Sequence, residues 1–453
     1  MSNIGFPSDF LFGVSTSSYQ IEGAWNEAGK GESIWDRFAH VPGNIVDAST
    51  GDVACDHYHR FAEDVALMRE MKIRAYRFSV SWPRVMPAGR GQVNPAGLDF
   101  YSRLVDSLLA AGIKPVLCLF HWDLPQALQE MGGFGNRDVT GWFADYAALL
   151  AGRLGDRVKM WVTMNEPSVY ALLGHAVGML APGLRDQRLY LQVAHHLNLA
   201  HGRAVVAIRD SARAPEVGTV LSLPAIHPRS NTEEDRRAAQ IMDGLWNRFH
   251  AEPILLGRYP EDLIDRLSTL NLPMPASDLA VIRKPLDFIG VNVYTRHHAY
   301  HDPRVPLLEA SIDTKFLPCG AAATAMGWEI YPPAIYETLK RVQTEWGDPV
   351  VYVTENGAAF DDRLDCGVVN DPERIDYLKR YLAEVRQAMR EGVKVKGYFV
   401  WSLLDNFEWA FGFSKRFGLV YTDYPTQRRI PKASAFWYRE LIERGSFNID
   451  KES

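Results

Sequence analysis

Eight short apolar runs recur along the chain, and each of them leads into a polar or aromatic word. They occupy residues 10–14, 75–80, 115–120, 158–162, 218–223, 288–293, 350–353 and 397–400. The runs are rich in β-branched and aromatic residues and are bounded by turn-forming residues. This pattern is typical of strands that are buried on both faces.

Longer segments with helical periodicity separate these runs. They occupy residues 57–71, 95–111, 142–154, 189–209, 233–257, 333–344, 372–390 and 432–444. In the first segment Tyr58, Phe61 and Val65 fall on one stripe, which is the spacing of an amphipathic helix. In the second, Pro95 lies near the start and Gly112 follows the end, as is usual at helix boundaries.

Strands that alternate with helices predict a parallel sheet, and eight such units predict a closed (β/α)8 TIM barrel. An open, doubly wound sheet is the alternative, but no Gly-x-Gly-x-x-Gly word follows the first run. The polar words fall at the carboxyl ends of the predicted strands, where barrel active sites lie. We therefore expect an α/β fold in which one barrel forms a single catalytic domain over residues 1–453.

Four connections are too long for tight turns between a strand and a helix. They are residues 23–51, 178–188, 303–324 and 408–429. Long loops of this kind build the walls around a barrel mouth, so we expect them there. The last residues, 448–453, are expected to be a loose tail.

Two of the polar words contain a glutamate directly at a strand end. The words are Thr-Met-Asn-Glu-Pro at 163–167 and Val-Thr-Glu-Asn-Gly at 353–357, so the glutamates are Glu166 and Glu355. A pair of salt-bridged surface glutamates is the simpler interpretation, since Glu is mostly exposed. The shared pattern of apolar strand, Thr, Glu and turn residue favours convergence on one cavity. Two converging carboxyl groups are the chemistry that cleaves a glycosidic bond.

Composition and charge narrow the classes of function. The chain has 453 residues, 47% of them hydrophobic, and 12 Trp, 19 Tyr and 21 Phe offer rings for a sugar-binding pocket. The net charge of −6 argues against nucleic acid or an anionic membrane as the main partner. No apolar run is long enough to span a membrane, and no signal-peptide pattern opens the chain. The scattered Cys55, Cys118, Cys319 and Cys366 indicate a reduced, cytoplasmic protein.

Two histidine groups deserve comparison with metal sites. Asp56, His57 and His59 form one group, and His195, His196 and His201 form the other on a predicted helix. Neither has a clear further ligand, so packing or local ion pairing is the favoured interpretation. We expect no metal and no cofactor.

The chain resembles glycoside hydrolase family 1, the retaining β-glucosidases and their relatives, nearly from end to end. Six words in order carry the resemblance, at residues 10–23, 77–84, 121–126, 163–167, 353–357 and 401–409. The resemblance implies that Glu166 is the acid/base and Glu355 the nucleophile. It also implies that Arg77 and Tyr294 orient the nucleophile. The implied substrate-binding residues are Gln20, His121, Trp122, Asn165, Asn292, Trp328, Trp401, Glu408, Trp409 and Phe417.

A retaining mechanism needs one ionised and one protonated carboxyl group. If Arg77 reaches Glu355, its charge lowers the pKa of that carboxyl, while burial and the second carboxylate raise the pKa of Glu166. We expect a retaining β-glucosidase that acts on small-molecule glycosides or oligosaccharides, with side activity on β-galactosides or β-fucosides. A transglycosylase and a non-catalytic sugar-binding barrel are the alternatives, and the second is disfavoured because both glutamates are present. The sequence leaves the oligomeric state open.

Overall fold

The computed structural model describes residues 2–449, and its centre is a closed barrel of eight parallel strands. The strands are β1 (Leu11–Ser15), β2 (Ala75–Ser79), β3 (Lys114–Cys118), β4 (Met160–Asn165), β5 (Glu216–Ser222), β6 (Phe288–Asn292), β7 (Val351–Asn356) and β8 (Val395–Trp401). All eight match the predicted runs within a few residues. The predicted α/β barrel is confirmed.

Each strand pairs in parallel with the next one along the chain, and β8 closes the barrel by pairing with β1. Because the sheet is closed and parallel, all eight carboxyl ends open on one face. Neighbouring registers align the site residues at that face; for example, Ser15 lies opposite Arg77, which lies opposite Val116 on β3.

Helices surround the barrel and follow the predicted pattern. The longer ones are His57–Glu70, Pro95–Ala110, Val139–Leu154, Gln187–Ser211, Glu233–Asp243, Pro333–Glu345, Pro372–Arg390 and Ala433–Arg444. Among residues 2–449 the helices include none with the length and apolarity needed to cross a bilayer.

One predicted helix is divided. The segment predicted at 233–257 forms the helix Glu233–Asp243, a π-type turn at Gly244–Arg248 and a further helix, Phe249–Leu255. A π-type turn winds the backbone more loosely, so it changes the direction in which the following side chains point. The turn moves Leu245 and Trp246 to the wall of a cavity near the barrel mouth.

Alternation along the strands separates an inner core from an outer one. Ala75, Val116, Val162, Val220 and Phe399 belong to a cluster that fills the barrel interior. The residues between them face the helices, with Tyr76, Leu117 and Trp161 in the main core. Since successive strand residues point to opposite faces, Arg77 projects into the barrel on the same side as Ala75. The guanidinium therefore lies directly below the barrel mouth.

Short elements outside the barrel complete the fold. The strands Ala225–Pro228, Arg296–His301 and Ala310–Ile312 form a small sheet, and Val420–Asp423 pairs with Arg428–Pro431. These short strands lie within or beside connections that the sequence analysis assigned to loops.

The expectation of a loose tail from Asn448 is wrong for the first two of its residues. Asn448 pairs with Asn3 and Ile449 with Ser2, because the strand Ser446–Ile449 runs antiparallel to Ser2–Gly5. The pairing satisfies backbone groups at both ends of the described chain. The rest of the predicted tail, residues 450–453, lies outside the described residues.

Candidate active site

A cavity of about 850 Å³ opens at the carboxyl ends of the barrel strands. Most of the predicted site residues line it: His121, Trp122, Glu166, Asn292, Tyr294, Trp328, Glu355, Trp401, Glu408, Trp409 and Phe417. Three predicted residues, Gln20, Arg77 and Asn165, lie directly behind this wall and are fully buried. The barrel therefore brings the predicted constellation together around one space.

Glu355 lies near the end of β7 and is held by two donors. The Arg77 Nη1 donates to Glu355 Oε1 at 2.5 Å, and the Tyr294 hydroxyl donates to Oε2 at 2.6 Å. The carboxyl group is only 3% exposed, so both oxygens have fixed partners away from bulk water. Gly357 completes the turn because a Cβ at that position would lie 1.9 Å from the carbonyl oxygen of Trp401.

Glu166 directly follows β4 and precedes the short helix Pro167–Ala171. Its φ of 47° is a left-handed conformation, which turns the side chain into the cavity at the strand end. The Asn292 Nδ2 donates to Glu166 Oε1 at 2.9 Å. Compared with Glu355, this carboxyl group has no cationic partner, so it is the one better suited to keep a proton.

Asn165 connects the two carboxyl groups through their partners. Its Oδ1 accepts from Arg77 Nη2 at 2.6 Å and from Asn292 Nδ2 at 3.0 Å. Its Nδ2 lies 3.0 Å from His121 Nε2 and must be the donor there, because the Oδ1 already accepts. His121 therefore carries its proton on Nδ1, a buried atom with no protein partner among residues 2–449.

The pKa values of the two carboxyl groups are separated by their surroundings. Burial and the charge of Glu355 raise the pKa of Glu166 to about 8. Burial also raises the pKa of Glu355, while Arg77, Tyr294 and Asn292 oppose that rise. The predicted lowering by Arg77 is present but is smaller than the effect of burial. Because only Glu355 has a cation in contact, it ionises first, and Glu166 keeps the proton.

Aromatic rings form the floor and one side of the cavity. The ring centroids of Trp122 and Trp409 are 4.7 Å apart, and His121 lies 5.7 Å from Trp401 and 5.8 Å from Trp409. Behind them Trp35 supports Trp409 at 4.6 Å. Such rings offer flat apolar surfaces of the kind that the C–H face of a sugar requires.

Gln20 and Glu408 form a polar corner at the opposite end of the cavity from Trp328. The Gln20 Nε2 lies 3.5 Å from Glu408 Oε2 and also donates to the carbonyl of Phe407 at 2.9 Å. Burial and the charge of Glu355 raise the pKa of Glu408 to about 8. Its carboxyl group therefore holds a proton at neutral pH when no ligand is bound.

A second aromatic group stands beside the nucleophile. Trp328, Tyr294 and Phe417 contact one another, with centroid distances of 5.5 Å for Trp328 to Tyr294 and 6.0 Å for Trp328 to Phe417. Phe417 is 2% exposed, whereas Trp328 is half-buried at the cavity wall.

Sequence reasoning missed several supporting residues. The Thr354 hydroxyl donates to Asn292 Oδ1 at 2.7 Å, and Asn406 Oδ1 accepts from Gln20 at 3.1 Å. Both lie inside words that the sequence analysis singled out, so those words contained a usable signal. Ser222, at the end of β5, acts on Glu166 by a hydrogen bond that lowers its pKa. Only its place at a strand end could have indicated it.

The two histidine groups have protein partners. His57 Nδ1 lies 2.7 Å from Asp64, and His195 lies between Tyr259 and Asp278 at 2.8 and 2.9 Å. His196 pairs with the carbonyl of Phe134, and His201 pairs with Thr163. These contacts agree with the packing interpretation.

Comparison with known proteins gives the same family throughout. A family model described as Glycosyl hydrolase family 1 matches residues 2–447. Beta-glucosidase A of Acetivibrio thermocellus is 46% identical, over 99% of this chain and 100% of the relative. Beta-glucosidase A of Thermotoga maritima is 48% identical, over 97% of this chain and 98% of the relative. A bifunctional beta-D-glucosidase/beta-D-fucosidase of Bifidobacterium breve is 43% identical, over 96% of this chain and 98% of the relative.

Solved structures agree with the sequence relatives. The family 1 β-glucosidase from Thermotoga maritima superposes with a TM-score of 0.95 at 46% identity, covering 99% of this chain and 100% of that chain. A β-glucosidase structure from the same organism in complex with deoxynojirimycin has a TM-score of 0.94 at 46% identity and covers 98% of this chain and 100% of that chain.

Proposed function

Because the chain belongs to glycosyl hydrolase family 1, we propose that Glu355 and Glu166 carry out the two displacements of a retaining β-glucosidase. The chain is a β-glucosidase that acts on terminal β-D-glucosyl residues. One observation supports the division of roles: Arg77 and Tyr294 contact Glu355 at 2.5 and 2.6 Å, while Glu166 has only an amide donor at 2.9 Å.

In the first step an oxygen of Glu355 attacks the anomeric carbon. Glu166 gives its proton to the glycosidic oxygen as the bond between that oxygen and the anomeric carbon breaks. The products are a glucosyl ester on Glu355 and a free alcohol. Asn165 and His121 lie beside the reacting carbon, and the unpaired Nδ1–H of His121 is free to donate to a sugar hydroxyl.

In the second step water attacks the ester. The ester carries no charge, so the repulsion that raises the pKa of Glu166 is gone once it has formed. The pKa of Glu166 then falls, and its carboxylate accepts a proton from the water. Hydrolysis restores Glu355 as an ion beside Arg77 and returns the proton to Glu166.

A non-catalytic sugar-binding barrel needs no such asymmetry between its carboxyl groups. Both glutamates are present, both are buried, and their donors differ in the manner that catalysis requires. The stereochemistry of the first product tests the proposal. Proton NMR of a β-glucoside digest should show the β-anomer first, with the α-anomer formed later by mutarotation. Early α-anomer, or no turnover, would overturn the assignment.

The proposed substrates are β-glucosides, including oligosaccharides derived from cellulose and aryl glucosides. Side activity on β-fucosides is also proposed, supported by the bifunctional Bifidobacterium relative. Fucosides lack an oxygen at C6, so they leave the Glu408 and Phe417 corner less filled. Initial rates on nitrophenyl β-glucoside, β-fucoside and β-galactoside test this order of preference.

We propose that residues 1–447 form one catalytic domain. The barrel closes on itself, and the two ends of the described chain pair as strands. A single cooperative transition in calorimetry would support this proposal, whereas two separate transitions would contradict it.

We also propose a cytoplasmic location. The cysteines are unpaired, and the thiols of Cys319 and Cys366 are exposed. Exposed free thiols suit a reducing compartment. Cell fractionation with an activity assay tests this location.

A further inference from the structure

Beyond the carboxyl groups the cavity continues into a part walled by apolar side chains. Six of them define this apolar chamber: Leu172, Leu173, Leu245, Trp246, Leu267 and Leu307. The whole cavity, at about 850 Å³, lies near the upper end of the roughly 300–1,000 Å³ usual for ligand sites. One glucosyl unit between Glu355 and Trp409 leaves the chamber available for another group.

The chamber lies on the side of Glu166. Its first wall is the π-type turn Leu172–Val177, which directly continues the short helix that begins after Glu166. Its second wall is the π-type turn Gly244–Arg248, and a 3-10 turn at Ser268–Leu270 adjoins it. Because Glu166 protonates the departing oxygen, a space that adjoins Glu166 receives the leaving group.

The chamber wall is built from core residues and offers few free polar groups. Leu245 is 1% exposed and Leu267 is 3% exposed, although both line the cavity. Three polar side chains of the wall are already bonded within the protein. Ser222 accepts from Trp246, Thr295 donates to the carbonyl of Glu329, and Ser311 donates to Asp302.

The remaining polar side chains of the wall are Gln187, His297, Thr314 and Lys315. Burial lowers the pKa of His297 to about 4, so its ring is neutral at pH 7. A second sugar carries several hydroxyl groups, and each needs a partner when it leaves water. The chamber supplies too few for a sugar ring, while its leucines match a hydrocarbon.

We propose that the apolar chamber binds the leaving group of β-glucosides whose aglycone is a large hydrocarbon, such as a long alkyl chain or a fused apolar ring system. This inference rests on the proposed function, since it concerns the leaving-group side of the same reaction. At the mouth Val177 and Met179 are 47% and 45% exposed and line the same cavity. They extend the apolar surface to solvent and offer a hydrocarbon a first contact.

A series of n-alkyl β-D-glucosides, from ethyl to octyl, tests the proposal when used below their critical micelle concentrations. The alcohols in the series are leaving groups of similar basicity, so chain length changes mainly the buried apolar surface. We expect kcat/KM to rise by roughly threefold for each added methylene until the chamber is filled. We also expect kcat/KM for octyl glucoside to exceed that for cellobiose.

Two variants place polar atoms in the wall with little risk to folding. Leu172→Gln acts at a half-buried helical position, and Leu307→Asn acts at a residue with φ of 69°, which Asn tolerates well. Both should reduce the ratio of kcat/KM for octyl to ethyl glucoside by about tenfold or more. Leu109→Gln, on an exposed helix face away from the cavity, is the matched control and should leave that ratio unchanged.

The outcomes separate the two proposals. Failure to hydrolyse both ethyl and nitrophenyl glucosides would overturn the proposed function. Turnover of both with no gain from ethyl to octyl would overturn only the apolar chamber. The same conclusion would follow if neither variant changed the octyl-to-ethyl ratio, or if cellobiose were the better substrate.

Discussion

The guanidinium of Arg77 contacts Glu355 at 2.5 Å although 278 positions separate the two residues in the chain. Arg77 projects inward from β2, and Glu355 ends β7 on the other side of the barrel. The second arm of the guanidinium reaches Asn165 at 2.6 Å. One buried cation thus fixes the ionised carboxyl group and the amide network that leads to His121.

Arg77→Lys should lower kcat/KM by about 100-fold or more, because a lysine cannot contact Glu355 and Asn165 together. Weakening the cationic contact raises the pKa of Glu355, and Glu355 must be ionised to act. The acidic limb of the pH–rate profile should therefore move to higher pH. The thermal unfolding midpoint checks that the variant is folded. An unchanged acidic limb would contradict the role of Arg77.

Glu355→Gly should abolish hydrolysis of β-glucosides by removing the nucleophile while leaving Glu166 in place. Azide fits the vacated space and attacks the anomeric carbon from the same side as Glu355 did. Activity on nitrophenyl β-glucoside should therefore return with azide, giving an α-glucosyl azide that NMR identifies. A β-azide product would reassign the nucleophile.

Glu166→Ala should slow substrates in proportion to the basicity of their leaving groups. A dinitrophenyl group departs without a proton, so the first step survives, whereas an alkyl or sugar leaving group needs Glu166. We expect kcat/KM to fall by about 100-fold or more for alkyl glucosides and far less for dinitrophenyl glucoside. Equal losses for both substrates would disprove the acid/base role.

The pKa of Glu166, about 8, sets an alkaline limit. As pH rises through that value Glu166 loses its proton, so kcat/KM should fall. The stability linked to this raised pKa is present below the unfolded value near 4.5 and is lost as pH rises towards 8. Glu166→Gln cannot ionise, so its unfolding midpoint should gain on the native protein between pH 5 and pH 9. A constant difference would contradict the raised pKa.

The enzyme should prefer unphosphorylated glucosides over their 6-phosphates. Neither cation beside the sugar corner faces the cavity: Arg416 donates to Asp405 at 2.8 Å, and Lys415 donates to the carbonyl of Ala325 at 2.7 Å. Glu408 holds a proton when the site is empty, so discrimination depends mainly on the apolar ring of Phe417 and the lack of a facing cation. We expect kcat/KM for nitrophenyl β-glucoside to exceed that of its 6-phosphate by about 100-fold or more. A preference for the phosphate would refute this view of the corner.

The sequence by itself determined the barrel and the two central glutamates. Buried parallel strands must be apolar along their length, and their ends must turn, so the local pattern marks both the strand and the residue that follows it. Glu166 and Glu355 were found in this way, and so were the words that contain Asn165, Trp401 and Glu408.

Only the tertiary structure decided which side chains meet. The contact of Arg77 with Glu355 and the pKa of Glu408 depend on barrel closure and on burial, which no local pattern measures. The apolar chamber escaped the sequence for the same reason. Leu172, Leu245 and Leu307 come from a helix end, a divided helix and a loop, and each looks like ordinary core or connection in the sequence. Hydrophobic periodicity reports which side of a backbone is apolar, but the packing of distant segments decides whether that side fills a core or lines a cavity.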